Sequence, residues 1–397
     1  MRLPTFYEQN LIPNWGTFAP STIQIVMYKT KGLPNTRIDV ADALRGIAVA
    51  GIIIYHAVEH FNIFTSQPIS NTLPIDQQVA DTLAWLLSGK MYGIFAMLFG
   101  LSFFIMNDNQ QQKHQSFDWR FSWRMSLLLC FGIVNVAFYD GDILIIYALI
   151  GLLLIPISHL SSRWVWTIII FLSIQPIELM CLLSGYEIDP THLWEMFGTM
   201  GEVHQYGSFW HNTLINLKLG FPTDVFFFVY TGRLTQILCL FILGMQLGRH
   251  RLFYNEGQHL YYWYQVLIVS VGITVLMSLT PFGSLEKWLS PIYNLVILSS
   301  IVSAIVTLWY AFPRFQCVMH HLCLFGRMSL TNYLLQSIIG TIIFCGYGFG
   351  YYHKVGTTYA ALIGIVMVIV QYLFCRYWFR HHSRGPLEEL WKRLTWL

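Results

Sequence analysis

Charge is the scarcest property of this chain. Only 11% of its residues are Asp, Glu, Lys or Arg, against roughly 25% in soluble domains, while 55% are hydrophobic. So few charges exclude a water-facing surface over most of the chain, and lipid is its main solvent. A cleavable signal is not expected either: the first 34 residues lack a basic-then-apolar order and instead hold Pro4, Pro13, Pro20 and Pro34. Residues 1–36 therefore read as a mobile or interfacial arm. The alternation of a membrane barrel is absent, which leaves helices as the elements that satisfy their own backbone in hydrocarbon. No metalloprotease, nucleotide-hydrolase or nucleophile-elbow pattern occurs. Gly346, Gly348 and Gly350 have neither a preceding strand nor a following Lys-Ser/Thr pair, so they do not form a phosphate loop. The basic residues follow the membrane topology, so no nucleic-acid partner is expected.

Cysteine is sparse and carries no disulfide signal, since Cys130, Cys181, Cys239, Cys345 and Cys375 sit in or beside apolar stretches. Cys317 and Cys323 flank His320 and His321 in a segment read as a cytoplasmic loop, but the spacing matches none of the common zinc patterns. No metal is expected.

What is present is a series of long apolar stretches, near 44–64, 82–106, 123–139, 143–161, 164–184, 232–248, 258–280, 290–312, 328–347 and 357–377. Crossing about 30 Å of hydrocarbon takes about 20 residues of helix. The expected fold is all-α: a polytopic integral membrane bundle of about ten transmembrane helices. Lys and Arg gather before the first stretch, between the second and third, and in the tail after 376, whereas 65–77 has none and 185–202 is acidic. By the positive-inside rule both termini are cytoplasmic, in the inner membrane if the cell is bacterial. The segment 205–231 is left open between spanning, re-entering and lying on the membrane. The chain divides into the arm 1–36, an N-terminal set of helices over 37–225, and a C-terminal membrane domain over 226–394.

The chemistry concentrates on the first span. Asp39, Asp42 and Arg45 lead into it, and His56, Glu59 and His60 follow. At 100° per residue Arg45 and His56 share one face, separated by about 16 Å along the axis. Ionisable groups in hydrocarbon are costly enough that they mark a pathway or a reaction centre. A carboxylate one turn from an imidazole can fix its tautomer, so Glu59 is the natural partner of His56, which is the candidate general base. A histidine merely bonded between packed helices is the bland alternative. Arg45, near the cytoplasmic end, has the planar fork that suits phosphate, with an internal salt bridge to Asp42 or Asp39 as its competing role. Lys90 must snorkel or face a polar interior. Asp142 is explained by a helix N-cap. Ser329, Asn332 and Gln336, with Tyr333 adjacent, form a polar face that points into the bundle, where helix-to-helix hydrogen bonding would account for it.

Five motifs occur in order: Arg37-Ile-Asp39-Val-Ala-Asp42-Ala-Leu-Arg45-Gly46, Phe95-Ala-Met-Leu-Phe99-Gly100, Gly141-Asp142-Ile-Leu-Ile-Ile-Tyr147-Ala148, Gly326-Arg327-Met-Ser-Leu-Thr331-Asn332-Tyr333-Leu-Leu-Gln336-Ser337 and Gly385-Pro386-Leu-Glu388-Glu-Leu-Trp391. Over about 37–394 the chain closely resembles the YeiB-like family of bacterial inner-membrane proteins, whose C-terminal half is a domain of unknown function. That family looks like a branch of the transmembrane acyltransferase superfamily, alongside heparan-alpha-glucosaminide N-acetyltransferase and the acyltransferases of bacterial surface polysaccharides. The resemblance implies an acyl-CoA donor, acetyl-CoA above all, on the cytoplasmic side and a periplasmic glycan or lipid-linked sugar as acceptor. Arg45, ten residues and His56 match the spacing of the polysaccharide enzymes. Family members commonly have asparagine where this chain has His56 and histidine where it has Asn135. The heparan enzyme's catalytic histidine falls at Gln67, which makes His60 the alternative base. On this reading His56, Glu59 and His60 are catalytic; Arg45, Arg120, Arg124 and Arg327 hold donor phosphates; Asp142, Asn332, Tyr333 and Gln336 face the acceptor. Membrane lipids surround the chain, and a homo-oligomer is compatible with it. A transporter or flippase for an anionic solute or lipid-linked precursor is the competing class.

Overall fold

A computed structural model describes residues 37–62, 69, 71–254 and 258–396, without the side chains of His60, Phe61 and Asn62. The arm 1–36, Gln67 and the side chain of His60 thus lie outside the described residues. Every element among those described is helical. In chain order they are α1 (Asp39–Asn62), α2 (Asp76–Leu87), α3 (Met91–Gln111), α4 (Asp118–Val136), α5 (Leu144–Gly151), α6 (Leu154–Ser158), α7 (Ser162–Ser173), α8 (Pro176–Ser184), α9 (Thr191–Tyr206), α10 (Phe209–Ile215), a π turn at Asn216–Gly220, α11 (Phe221–Tyr230), α12 (Arg233–Arg249), α13 (Leu260–Leu279), a 3-10 turn at Gly283–Leu285, α14 (Glu286–Ala311), α15 (Pro313–Arg327), α16 (Ser329–Phe344), α17 (Thr357–Trp378) and α18 (Pro386–Thr395).

Each of the ten apolar stretches falls on a helix or a broken helix. Among the described residues, five helical runs are long and apolar enough to cross a membrane: 39–59, 76–111, 260–279, 283–311 and 357–378. Two bent pairs, α7 with α8 at 44° and 209–230 with α12 at 80°, raise that number to seven. The remaining stretches are shorter, as in α5, α6 and α16. The break before Arg233 is made by Gly232 at φ 68°, a left-handed conformation that favours glycine. Within the 76–111 run, Lys90 follows Gly89 at φ 77° and opens α3.

The core is set by close helix crossings. A Cβ at Gly100 would collide with the carbonyl of Phe241, and one at Gly244 with that of Met97, so α3 and α12 touch backbone to backbone. The same reciprocity joins α1 to α15, through Gly46 against Leu322 and Gly326 against Asp42. Small residues at such crossings gain packing that lipid cannot supply. The segment carrying Cys317, His320, His321 and Cys323 is therefore not a loop: it is α15, packed on α1, with Cys323 Sγ 3.3 Å from the Asp39 carbonyl. Arg314, Gln316, His320, His321 and Arg327 break up its apolar residues and conceal it. One face of α1 is thus walled by α3, α15, α16 and α17, and the Arg45–His56 stripe looks inward.

Candidate functional site

Two cavities open on that stripe, one at each end. The first, of about 800 Å³, is lined by cations from four helices, Arg45 (α1), Arg124 (α4), Arg327 (α15) and Lys392 (α18), with Arg37 before α1 and Arg384 before α18. Asp42 organises its rim. Its carboxylate accepts from Arg45 Nη1 at 2.6 Å and from Arg37 Nη2 at 2.6 Å, while Arg45 Nη2 reaches Ser102 Oγ at 3.2 Å. Arg45 therefore both makes the internal salt bridge and lines the cavity. Arg124 lies 3.5 Å from the Trp391 ring centroid and Arg327 4.5 Å from that of Phe379, each guanidinium held over an aromatic ring. Arg120 stands apart. It does not line the cavity, and its guanidinium packs 4.4 Å over Trp396, which does.

The amphipathic α18 closes this cavity from the outside of the bundle. Glu388 accepts from the Thr331 main-chain N–H at 3.0 Å and from its hydroxyl at 2.7 Å, and Trp391 Nε1 donates to the Arg124 carbonyl at 3.2 Å. Burial pushes the Glu388 carboxyl above the ordinary glutamate value, with the Thr331 bonds opposing.

The second cavity, of about 120 Å³, holds His56 and Glu59 together with Tyr139, Asp140, Asp224 and Arg233. His56 Nδ1 lies 3.0 Å from Gln336 Nε2, its ring centroid 4.8 Å from Tyr139 and 6.3 Å, edge on, from Tyr333. Gln336, not Glu59, thus holds the imidazole, which corrects the tautomer role expected for Glu59. Glu59 instead shares the chamber with Arg233, with which it interacts electrostatically. Tyr333 lines the same chamber and its hydroxyl accepts the Ile143 N–H at 3.3 Å.

Two expected acceptor contacts lie elsewhere. Asn332 donates to the Phe325 carbonyl at 3.1 Å and contacts Cys375 Sγ at 3.4 Å, tying α16 to α15 and α17. Asp142 caps α5, accepting from Ile145 N at 3.0 Å and from Asn135 Nδ2 at 2.8 Å. Neither lines either cavity. The sequence reading missed Tyr139, Asp140, Asp224 and Arg233. Arg233 had a signal: it begins an apolar stretch whose far end carries Arg249 and Arg251, so it is a cation where the positive-inside rule expects none. Among the described residues no three of His, Cys, Asp and Glu converge as a metal site.

An aromatic septum separates the two cavities. Tyr92 lines the His56 chamber and Phe95 and Phe99 line the cation cavity. Between Tyr92 and Phe95 there is only about 4.5 Å of helical rise. Tyr147 fills this level, its centroid 6.0 Å from Phe95, 5.8 Å from Phe99 and 4.9 Å from Phe241, with its hydroxyl donating to the Tyr92 carbonyl at 2.7 Å.

Residues 247–397 match the family described as "Protein of unknown function (DUF418)". Over 395 residues the chain is 28% identical to the uncharacterized protein YxaH of Bacillus subtilis (strain 168), covering 92% of this chain and 96% of the relative. It is 25% identical over 390 residues to the uncharacterized protein YeiB of Escherichia coli (strain K12), covering 89% and 95%. A 39.9 kDa protein from the amylase 3' region of Bacillus acidopullulyticus is 22% identical, with 91% and 94% covered. No solved structure matches the chain.

Proposed function

We propose that this protein is a membrane acyltransferase that moves an acetyl or other short acyl group from acyl-CoA to a hydroxyl or amine of an envelope glycan or lipid-linked sugar. One observation carries the reading: the two ends of a single helical stripe open into cavities of opposite chemistry, cation-lined at Arg45 and imidazole-carboxylate at His56. Arg45, Arg124 and Arg327 supply forks and charge for the donor's phosphates. The thioester reaches His56 across the septum, so the aromatic layer of Tyr92, Phe95 and Tyr147 parts around the pantetheine arm. His56 Nε2 then takes the proton of the acceptor O–H or N–H as its oxygen or nitrogen bonds to the thioester carbonyl carbon. The C–S bond breaks, and the departing thiolate receives that proton. This needs the proton of neutral His56 on Nδ1, hence the Gln336 amide turned with its oxygen toward the ring. Asp140, Asp224 and Arg233 furnish acceptor contacts.

The topology that goes with this function has ten crossings, both termini cytoplasmic and the His56 chamber on the periplasmic side of a bacterial inner membrane. Membrane-impermeant thiol labelling of single cysteines placed at Lys354 and Lys392 tests it, with labelling from outside expected at 354 alone.

A carrier is the second reading, favoured by the septum itself, because a thin barrier between two cavities is what alternating access requires. Labelled acetyl-CoA in proteoliposomes separates the two. Transfer of label to an acceptor, abolished by His56→Ala, supports the enzyme; solute flux without acyl consumption supports the carrier.

A further inference from the structure

Beside the His56 chamber, α16 and α17 splay apart to leave an apolar groove of about 610 Å³ on the lipid-facing side of the bundle, with Ile339, Ile343, Tyr359 and Val366 in its walls. Met367 belongs both to this groove and to the small void that touches His56 and Gln336, so the wall between groove and imidazole is one side chain thick. The loop that joins α16 to α17 forms a crest between groove and chamber: Tyr351 and Val355 line the groove, while Tyr352 lines the chamber. Lys354 stands on this crest, exposed, its ammonium turned back over Gly350, where a Cβ would come within 3.4 Å of it. Among the described residues it pairs with no carboxylate. The crest is held in place by Asn71 Nδ2 on the Lys354 carbonyl at 2.7 Å and by Asp76 Oδ1 on the Thr358 N–H at 2.8 Å.

We infer that the ligand of the His56 chamber is a membrane amphiphile bearing a phosphate, its apolar chain laid in the α16–α17 groove, its phosphate on Lys354 and its head group passing over Tyr352 into the chamber. Lys354 does not line the groove itself, but it stands on the loop between the groove residues Tyr351 and Val355, so an apolar chain in the trough brings an anionic head group to a neighbouring cation, which a neutral lipid or a free sugar would not use. The position of the crest also explains why the groove and the chamber share a loop. A lipid delivered this way remains in the bilayer while its head reaches the imidazole. The inference concerns how the ligand arrives, so it holds for a transferase and a carrier alike.

The test uses the full chain in nanodiscs with two matched photoreactive, clickable probes, phosphatidic acid and diacylglycerol. The phosphate-bearing probe is expected to label α16 and α17 peptides well above those of α13, whose Ile268 and Val269 are exposed and report ordinary annular lipid. Lys354→Glu should lower groove labelling at least about five-fold, the equivalent of the ~1 kcal/mol of one lysine at an anionic lipid, and leave α13 unchanged. Val366→Trp should block it by filling the trough. Equal labelling by both probes, groove labelling no higher than α13, or displacement by inorganic phosphate as effective as by phospholipid would each overturn the inference.

Discussion

Gln336 Nε2 lies 3.0 Å from His56 Nδ1, so the imidazole on α1 takes its orientation and its tautomer from α16. A glutamine can present either end of its amide, and only the oxygen leaves Nε2 free to accept a proton. Gln336→Glu fixes an acceptor there and is expected to keep acyl transfer within a few-fold of the parent. Gln336→Leu removes the orienting bond and should slow transfer by about 10- to 100-fold, short of the ~10²- to 10⁴-fold expected for His56→Ala. Single-turnover rates with labelled acetyl-CoA decide it; equal rates for the Leu and Glu variants would remove Gln336 from the mechanism.

On the proposed acyltransferase reading, Arg45 serves the donor end. Its bonds to Asp42 and Ser102 fix the guanidinium at the cavity wall without enclosing it. Arg45→Ala should raise the KM for acyl-CoA about ten-fold or more, since a hydrogen bond to a charged group contributes ~1.5–3 kcal/mol, with little change in kcat. Asp42→Asn loosens both Arg37 and Arg45 and should give a smaller rise. A fall in kcat at unchanged KM would place Arg45 nearer the reacting atoms than the cavity does.

Part of the fold is legible in the sequence, and the rest is not for physical reasons. Helical content and the Arg45–His56 stripe follow from apolar runs and a fixed turn per residue, and both survive. Helical spacing places Glu59 beside His56, since residues three apart on one helix are neighbours, yet Gln336, 280 positions away in sequence, occupies Nδ1. Asn332 and Gln336 share a polar face but serve different partners, a distinction that periodicity does not carry. α15 is hidden in the sequence because Arg314, Gln316, His320 and His321 interrupt its apolar residues, while its contact with α1 runs through Gly326 and Cys323. The Asp140, Asp224 and Arg233 chamber assembles from a connection, a bent helix and a helix start, so no single segment announces it.

The crossing of α3 and α12 predicts a stability effect independent of activity. Gly244 faces the Met97 carbonyl with no room for a methyl group. Gly244→Ala should lower the apparent melting temperature in detergent, with a cost of ~1–3 kcal/mol or more from forced separation of the helices. Gly272, on the lipid-facing α13, has open space around it, so Gly272→Ala is expected to be neutral or slightly stabilising. Equal effects at the two glycines would contradict the packing.

Docking of α18 should depend on pH through Glu388. Its carboxyl is held above the ordinary glutamate value by burial, so the folded state binds its proton more tightly than the unfolded one. Stability from this group is therefore present in full below about pH 4.3, the ordinary value, and falls as pH rises toward the elevated folded one. Hydrogen exchange of residues 386–395 should quicken over that interval, and Glu388→Gln should flatten the dependence. Glu388→Ala leaves the Thr331 N–H unpaired and should destabilise docking by ~1–3 kcal/mol at every pH.

Arg233 lines the His56 chamber with Glu59, Asp140 and Asp224 and interacts electrostatically with Glu59, with Nη2 3.2 Å from Ser88 Oγ and its guanidinium 4.7 Å from the Phe227 centroid. Removing it leaves carboxylates confined without their counter-charge, which is costly where water is scarce. Arg233→Gln should therefore destabilise the fold, and adding Glu59→Gln should restore part of the loss. The double-mutant cycle is expected to give a coupling of ~0.5–3 kcal/mol from thermal unfolding in a common detergent. Additive losses would mean that Arg233 acts through Ser88 and Phe227 alone, and that Glu59 finds its compensation elsewhere in the chamber.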